Sequence, residues 1–87
     1  MEIHHAARRH GVSDGAIRHA AAHALVVVDL EPDSDPPKQL VIGPDEAGNM
    51  LEVIALVLAD DRVLAIHAMP LRPTFYDLLR SGEDSDG

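Results

Sequence analysis

The sequence predicts a small α+β domain built on an antiparallel sheet, with helices at both ends of the chain. Two adjacent runs, residues 50–58 and 62–69, are rich in β-branched and aliphatic side chains. The polar pair Asp60-Asp61 separates them, as the turn of a β-hairpin would. Two shorter apolar runs precede this hairpin. Because hairpin connections produce antiparallel neighbours, we expect a four-stranded meander.

Two helices are predicted before the first strand. Residues 4–10 are followed by Gly11 as a C-cap and end in cationic side chains, which favour a helix C-terminus. Ser13 is a suitable N-cap for a second helix that continues through His23. The second helix is rich in alanine, which favours helix but supplies little apolar area per turn. It must therefore pack on the sheet.

The remaining elements complete one domain. Residues 25–30 and 39–42 form the first two predicted strands, and the acidic, proline-rich stretch between them is predicted to be an exposed loop. Pro73 suits the first position of a C-terminal helix. Since 87 residues supply a single modest core, we assign residues 1–80 to one domain. The polar and acidic residues 81–87 are predicted to be a disordered tail.

The composition narrows the functional classes. The chain has no cysteine, which excludes disulfides and thiolate metal ligands, and no run of about 18 apolar residues that would predict a membrane span. The N-terminal residues lack the apolar segment of a signal peptide, so a cytoplasmic location is predicted. The formal charge of −8 disfavours non-specific nucleic-acid binding, which requires many Lys and Arg side chains.

The charge is unevenly distributed. Residues 29–46 contain six acidic side chains and a single lysine, whereas residues 1–24 contain three arginines and five of the six histidines. The acidic loops are either ordinary solvated surface or a contact for a basic partner.

Polar side chains interrupt the apolar hairpin at two positions. If Asp60-Asp61 is the turn, Ile54 faces His67 and Glu52 faces Met69. Glu52 and His67 then become diagonal neighbours on one face, about 7–8 Å apart at their Cα atoms. This pair is either the start of a catalytic site or the polar core of an interface.

Several other side chains are candidates for chemistry. Arg8 and Arg9 could bind phosphate and His10 could move a proton, although a solvated helix end would have the same sequence. His67 is either a satisfied core histidine or a catalyst. Arg72 and Tyr76, shortly after it, would supply a phosphate clamp and a stacking ring. His19 and His23, four residues apart, share a helix face, but without a third ligand surface histidines are favoured over a zinc site.

Three segments resemble a known family. RRHGVS (residues 8–13) precedes a helix, LVIGPDEAGNMLEVIAL covers residues 40–56, and RVLAIHAMPLR covers residues 62–72. Together they resemble the BrnT-like toxins of bacterial type II toxin–antitoxin systems, which have a RelE-like ribonuclease fold. The family pattern is similar: a basic residue before His-Gly, a strand with an acidic residue, and a last strand that ends in a short polar segment before a helix.

The resemblance implies a cytoplasmic, metal-independent ribonuclease without cofactors, neutralised by a cognate antitoxin. Carried onto this sequence, it makes His10, His67 and Arg72 the catalytic candidates, supported by Glu52. Arg8, Arg9 and Tyr76 become the RNA-binding candidates. RNA cleavage through the 2′-hydroxyl needs a base, a proton donor and a cation at the phosphate, which histidine and arginine can supply.

Two functional hypotheses follow from the sequence. The first is an endoribonuclease toxin that has RNA and an antitoxin as its partners and does not bind membranes. The second is a non-catalytic interaction domain, a degenerate toxin that binds a partner, or a second copy of itself, through its sheet. The ribonuclease requires His10, His67 and Arg72 to meet in one exposed cleft. Burial of His67 against backbone partners would favour the interaction domain.

Overall fold

A computed structural model describes residues 1–31 and 33–83. The fold is α+β, as predicted: within the described residues a five-stranded mixed sheet is accompanied by two α-helices. The strand order is β1-β5-β4-β3-β2. The strands are β1 (Glu2–Ile3), β2 (Val26–Glu31), β3 (Lys38–Pro44), β4 (Met50–Val57) and β5 (Val63–Pro70), and the helices are α1 (Asp14–Ala22) and α2 (Tyr76–Glu83).

The predicted four-stranded antiparallel sheet is wrong in one respect. Strands β2 to β5 do form an antiparallel meander, but β1 adds a fifth strand that runs parallel to β5. Glu2 pairs with Leu64 and Ile3 with Ala65. A two-residue strand has no measurable alternation, and its partner lies about 60 residues away along the chain. Sequence periodicity therefore gives no signal for it.

The first predicted helix is also wrong. Residues 4–10 contain only a 3-10 helix, His5–Arg8, which packs beside β5. Gly11, with a φ of 77°, then adopts the left-handed conformation that favours glycine and turns the chain toward α1. The second helix is confirmed as α1. Ser13 caps it as predicted, because its Oγ accepts a hydrogen bond from the backbone N–H of Ala16 at 3.1 Å.

Helix α1 packs on one face of the sheet, against β3 and β4. Ile17 is completely buried there with Val41 and Val53. The backbones approach closely at Gly43, where a Cβ atom would overlap the carbonyl oxygen of Ala20. Glycine at this position thus compensates for the small side chains of α1 by allowing the helix to lie nearer to the sheet.

The β4–β5 hairpin has the predicted register around its polar residues. Ile54 pairs with His67 and Glu52 with Met69. A β-bulge then shifts the register by one residue, so that Ala55 pairs with Ala65. Because the bulge lies on the turn side of His67, the predicted diagonal contact between Glu52 and His67 is unaffected.

The chain after β5 forms the C-terminal elements. Pro73 begins a short 3-10 helix, Pro73–Phe75, which leads directly into α2. Residues 81–83 of the predicted disordered tail belong to α2, and residues 84–87 lie outside the described part of the chain. No helix in residues 1–31 and 33–83 is long and apolar enough to cross a membrane.

Candidate functional site

Glu52 is the centre of the candidate site. It lies on β4 on the face opposite Val53, and its side chain is completely buried. A buried carboxylate is costly unless hydrogen bonds satisfy its oxygens. Here the carboxylate accepts hydrogen bonds from His67, from the Arg72 guanidinium and from the Arg72 backbone N–H. The site is therefore built around a fully satisfied buried charge.

Arg72 holds one side of this carboxylate. Its Nε lies 3.0 Å from Oε1 and 3.1 Å from Oε2, its Nη2 lies 2.7 Å from Oε2, and its backbone N–H donates to Oε1 at 3.0 Å. The guanidinium also stacks over Phe75, 5.5 Å from the ring centroid. About half of the Arg72 side chain remains exposed, and no described residue contacts Nη1 as a hydrogen-bond partner. Several hydrogen bonds thus hold Arg72 on Glu52, while about half of its side chain remains accessible to a ligand.

His67 holds the other side. Its Nε2 lies 3.0 Å from Oε2 of Glu52, and its side chain is 24% exposed. Because an ionised carboxylate only accepts, Nε2 carries the proton and donates it to this bond. In a neutral imidazole, Nδ1 is then the free acceptor. The buried carboxylate of Glu52 thus fixes the orientation and the tautomer of the His67 imidazole.

The pKa of Glu52 agrees with an ionised carboxylate. Burial acts to raise this pKa, but hydrogen bonds from the Arg72 side chain, His67 and the Arg72 backbone outweigh burial. The net result is a pKa below the ordinary value of 4.5. The same hydrogen bond raises the pKa of Arg72, so both partners stay charged at neutral pH.

His10 completes the cluster. Its ring makes an edge-to-face contact with the His67 ring, with 5.6 Å between the centroids. His10 is exposed, whereas His67 is half-buried. The segment that carries His10 runs from β1 past β5 to α1, and this path brings it to the end of the polar network. Of the three residues predicted as catalytic, His67 and Arg72 therefore bind the Glu52 carboxylate, and His10 contacts the ring of His67.

A cleft of about 520 Å³ adjoins the cluster through His10. Asp45 and Asn49 also line it, and neither was singled out from the sequence. Asp45 accepts hydrogen bonds from the backbone N–H groups of Asn49, at 2.8 Å, and Ala47, at 3.0 Å, which lower its pKa. The sequence gives no signal for this arrangement, because an aspartate that caps a turn cannot be distinguished by sequence from one that is only solvated. His67 and Arg72 are not among the cleft-lining residues.

The predicted RNA-binding residues are placed differently from one another. Arg8 donates two hydrogen bonds to the carboxylate of Asp14, from Nε at 2.9 Å and from Nη2 at 2.8 Å. Its guanidinium group is therefore already paired. Arg9 is exposed and forms no ion pair with any residue in the described ranges. Tyr76 is 53% exposed and lines a second depression of about 470 Å³, which shares Asn49 with the first.

His19 in α1 and His23 at its C-cap form no metal site with other ligands among the described residues. The rings of His19 and His23 stack with 4.3 Å between centroids, and Nδ1 of His19 lies 2.8 Å from the carbonyl oxygen of Pro44. Within the residues that the structure describes, no group of three or more His, Cys, Asp or Glu side chains has metal-binding geometry. The prediction that His19 and His23 are surface histidines rather than zinc ligands stays a prediction.

No family model, curated protein or solved structure matches this chain.

Proposed function

We propose that this chain is a metal-independent endoribonuclease, with His67, His10 and Arg72 as its catalytic residues. The observation that supports this most strongly is the contact between the two imidazoles, one of which is held by a buried carboxylate. The two reacting oxygens of a phosphodiester flank a single phosphorus atom. An acid and a base that act on them must therefore lie close together, as His10 and His67 do.

In the proposed reaction His67 is the base. Its Nδ1 takes the proton from a ribose 2′-hydroxyl, and the 2′-oxygen attacks the adjacent phosphorus. The bond from phosphorus to the 5′-oxygen of the next nucleotide breaks, and His10 supplies the proton that this oxygen needs. Arg72 stabilises the charge that develops on the phosphoryl oxygens. The products are a 2′,3′-cyclic phosphate and a free 5′-hydroxyl.

Glu52 is a positioning residue in this scheme. It fixes the tautomer of His67 and stabilises the imidazolium that forms after proton transfer. Arg9 would attract the RNA backbone, and the exposed Tyr76 ring would stack on a base. Arg8 is a weaker candidate, because Asp14 already binds its guanidinium. The resemblance of residues 8–13, 40–56 and 62–72 extends the proposal to a cytoplasmic BrnT-like toxin with a RelE-like fold and a cognate antitoxin.

The proposal is tested with purified protein and a mixed-sequence RNA oligonucleotide in EDTA. We expect cleavage with cyclic-phosphate ends, and a fall in rate of about 100-fold or more in His67→Ala and His10→Ala. His23→Ala, which removes an exposed imidazole outside the cluster, is the matched control and should retain the wild-type rate. A 2′-deoxy nucleotide at the cleavage position should block the reaction. Intact RNA, or equal cleavage by His67→Ala, would refute the proposal.

Expression in a bacterial host supplies an independent test of the toxin role. We expect growth arrest with loss of RNA from the wild type, and normal growth from the double variant His67→Ala, Arg72→Ala at matched levels of folded protein. Normal growth with both proteins would contradict the toxin proposal even if RNA is cleaved in vitro.

A second candidate function is a non-catalytic interaction domain that binds a partner through its sheet. The exposure of the aliphatic side chains Leu25 and Val27 beside the sheet edge favours this candidate. In that case Glu52 and His67 would be a purely structural pair. Folded protein that leaves RNA intact in the experiment above would support this function.

A further inference from the structure

Strand β2 is an open edge of the sheet. The strand order places it last, and it pairs with β3 along one side. In residues 1–31 and 33–83 no strand pairs with its other side, where the backbone N–H and C=O groups can bind a further strand. Natural edge strands are commonly protected by lysine, proline or a covering loop. Between Val26 and Glu31 the strand contains neither lysine nor proline, and its pairing with β3 is regular from Val26 to Asp29, with a register shift only between Asp29 and Glu31.

The first half of this edge is apolar and exposed. Leu25 is 62% exposed and Val27 is 54% exposed. Val27 pairs with Val41, and the side chain of Val41 packs against α1. Val27 therefore lies on the α1 face of the sheet, one strand nearer to the edge. Helix α1 contacts β3 and β4 and helix α2 contacts β2, yet the side chains of Leu25 and Val27 remain exposed. Leu25 and Val27 are two residues apart in the chain and thus lie on the same side of the sheet, where they form one exposed aliphatic strip.

The second half of the edge is acidic. Asp29 and Glu31 are exposed, and Asp33 and Asp35 continue the negative charge into the following loop. Lys38 neutralises Glu31 only partly, across an exposed ion pair of 3.3 Å. The edge therefore changes along its length from aliphatic to negatively charged.

The change from aliphatic to acidic side chains along β2 indicates which kind of strand can pair with this edge. A second copy paired antiparallel over the whole of Val26–Glu31 would place the aliphatic half of each strand against the acidic half of the other. Both copies would also carry a charge of −8. Nucleic acid is disfavoured by the same acidic residues.

We propose that β2 binds an extended segment of another protein, which adds to the sheet as a sixth strand. Alternate aliphatic residues of that segment lie beside Leu25 and Val27, and Lys or Arg side chains lie beside Asp29 and Glu31. The backbone hydrogen bonds supply affinity, and the aliphatic-to-basic order supplies specificity. This surface is separate from the cluster at Glu52 and does not depend on the ribonuclease activity.

The test uses synthetic peptides of about nine residues, long enough to cover the strand. In the first peptide, Val alternates with Thr in the first half and Lys alternates with Thr in the second half. The second peptide has these halves in the reverse order, because the added strand can run parallel or antiparallel to β2. A control replaces Lys with Glu. Backbone amide NMR shifts of the ¹⁵N-labelled full chain are recorded up to about 1 mM peptide.

We expect one Lys peptide to shift the amides of β2 and to bind at least about tenfold more tightly than its Glu control. Val27→Lys, at an exposed position that does not contribute to the core, should abolish the shifts while preserving the rest of the spectrum. Val27→Thr keeps the β-branched shape and should weaken binding less. Ala6→Lys adds the same charge beside β5 and should bind like the wild type.

Three outcomes would overturn the proposal. No shift at 1 mM with either Lys peptide would exclude the docking surface. Equal binding of the Lys and Glu peptides would exclude a basic partner. Concentration-dependent dimerisation that Val27→Lys abolishes would show that the occupant is a second copy of the chain.

Discussion

At the residue scale, Glu52 joins β4, His67 and Arg72 through one buried carboxylate. Replacement of Glu52 by glutamine removes the negative charge that pairs with Arg72. It also places the new side-chain NH2 group among hydrogen-bond donors, where it finds no acceptor. We expect Glu52→Gln to lower the free energy of unfolding by about 2 kcal/mol, a value reduced from that of a fully buried pair because Arg72 is half exposed. Urea unfolding at pH 7 measures the change.

The control for this prediction is Glu31→Gln. Glu31 pairs with Lys38 at the surface, and exposed ion pairs contribute less than about 1 kcal/mol. Equal losses from the two substitutions would show that the Glu52 network contributes no more than a surface contact.

The same carboxylate predicts how stability depends on pH. Because folding lowers the pKa of Glu52 below its ordinary value of 4.5, the unfolded chain binds more protons near that pH. The stabilisation is complete above about pH 5 and is lost as the pH falls through the folded-state pKa. Glu2, Asp14 and Asp45 also have lowered pKa values and act in the same direction.

Glu52→Gln should therefore flatten the decrease of unfolding free energy between about pH 5 and pH 3 without abolishing it. Urea titrations at several pH values in this window measure the slope for both proteins. An unchanged slope would mean that Glu52 titrates alike in the folded and unfolded chains.

The contact between Glu52 and His67 was predictable because each interrupts an apolar strand, and a short turn defines their register. The position of Arg72 was not. The sequence predicts a phosphate clamp at this position and gives no sign of a protein partner, but the chain turns after Pro70 and directs the Arg72 guanidinium onto Glu52. Arg8 is predicted to bind phosphate or to be a solvated helix end, whereas in the structure Asp14 binds it. Such pairings depend on loop paths, which periodicity does not encode.

At the element scale, the close contact of α1 with β3 depends on Gly43. Gly43→Ala should destabilise the protein by at least about 2 kcal/mol, since the new methyl group would overlap the backbone of Ala20 and force the helix outward. Gly15→Ala makes the same chemical change inside α1, where the nearest side-chain atom is 4.0 Å from the new Cβ. It should be neutral or stabilise by up to about 1 kcal/mol. Thermal unfolding of both variants compares them, and loss of stability in both would contradict the steric explanation.

The turn between β4 and β5 offers a stabilising change. Asp60 and Asp61 have φ values of 65° and 61°, the left-handed pair required by the tightest hairpin turns. Asp61→Gly removes the steric cost of this conformation and should stabilise by about 0.5–1 kcal/mol in urea unfolding. Asp61→Asn removes the charge but keeps a side chain. If it stabilises equally, charge repulsion rather than backbone conformation is responsible.

The elements that the sequence predicted well are those with local signals. Strands β2 to β5 and helix α1 each show alternation, helix periodicity or a capping residue. Strand β1 depends on a parallel pairing between distant parts of the chain, and the β-bulge before His67 depends on packing across the sheet. The His5–Arg8 segment is too short for helix propensity to decide its form.

At the scale of the whole molecule, the charge of −8 opposes RNA binding, so local acidic side chains should limit the proposed ribonuclease. Glu46 is exposed next to the cleft residue Asp45. Glu46→Lys should raise kcat/KM for RNA several-fold at low salt, with little change in kcat, because it improves encounter with the phosphate backbone rather than chemistry. The rise should shrink at about 0.3 M salt.

Asp33→Lys is the matched control, since it changes the net charge equally at an exposed loop position after β2. If the effect is local, Glu46→Lys should raise kcat/KM more than Asp33→Lys does. Equal increases in kcat/KM from the two variants would show that the net charge alone limits encounter with RNA. A gain from neither would mean that RNA does not approach through the cleft beside His10. The comparison thus tests the direction of substrate approach separately from the chemistry of His67.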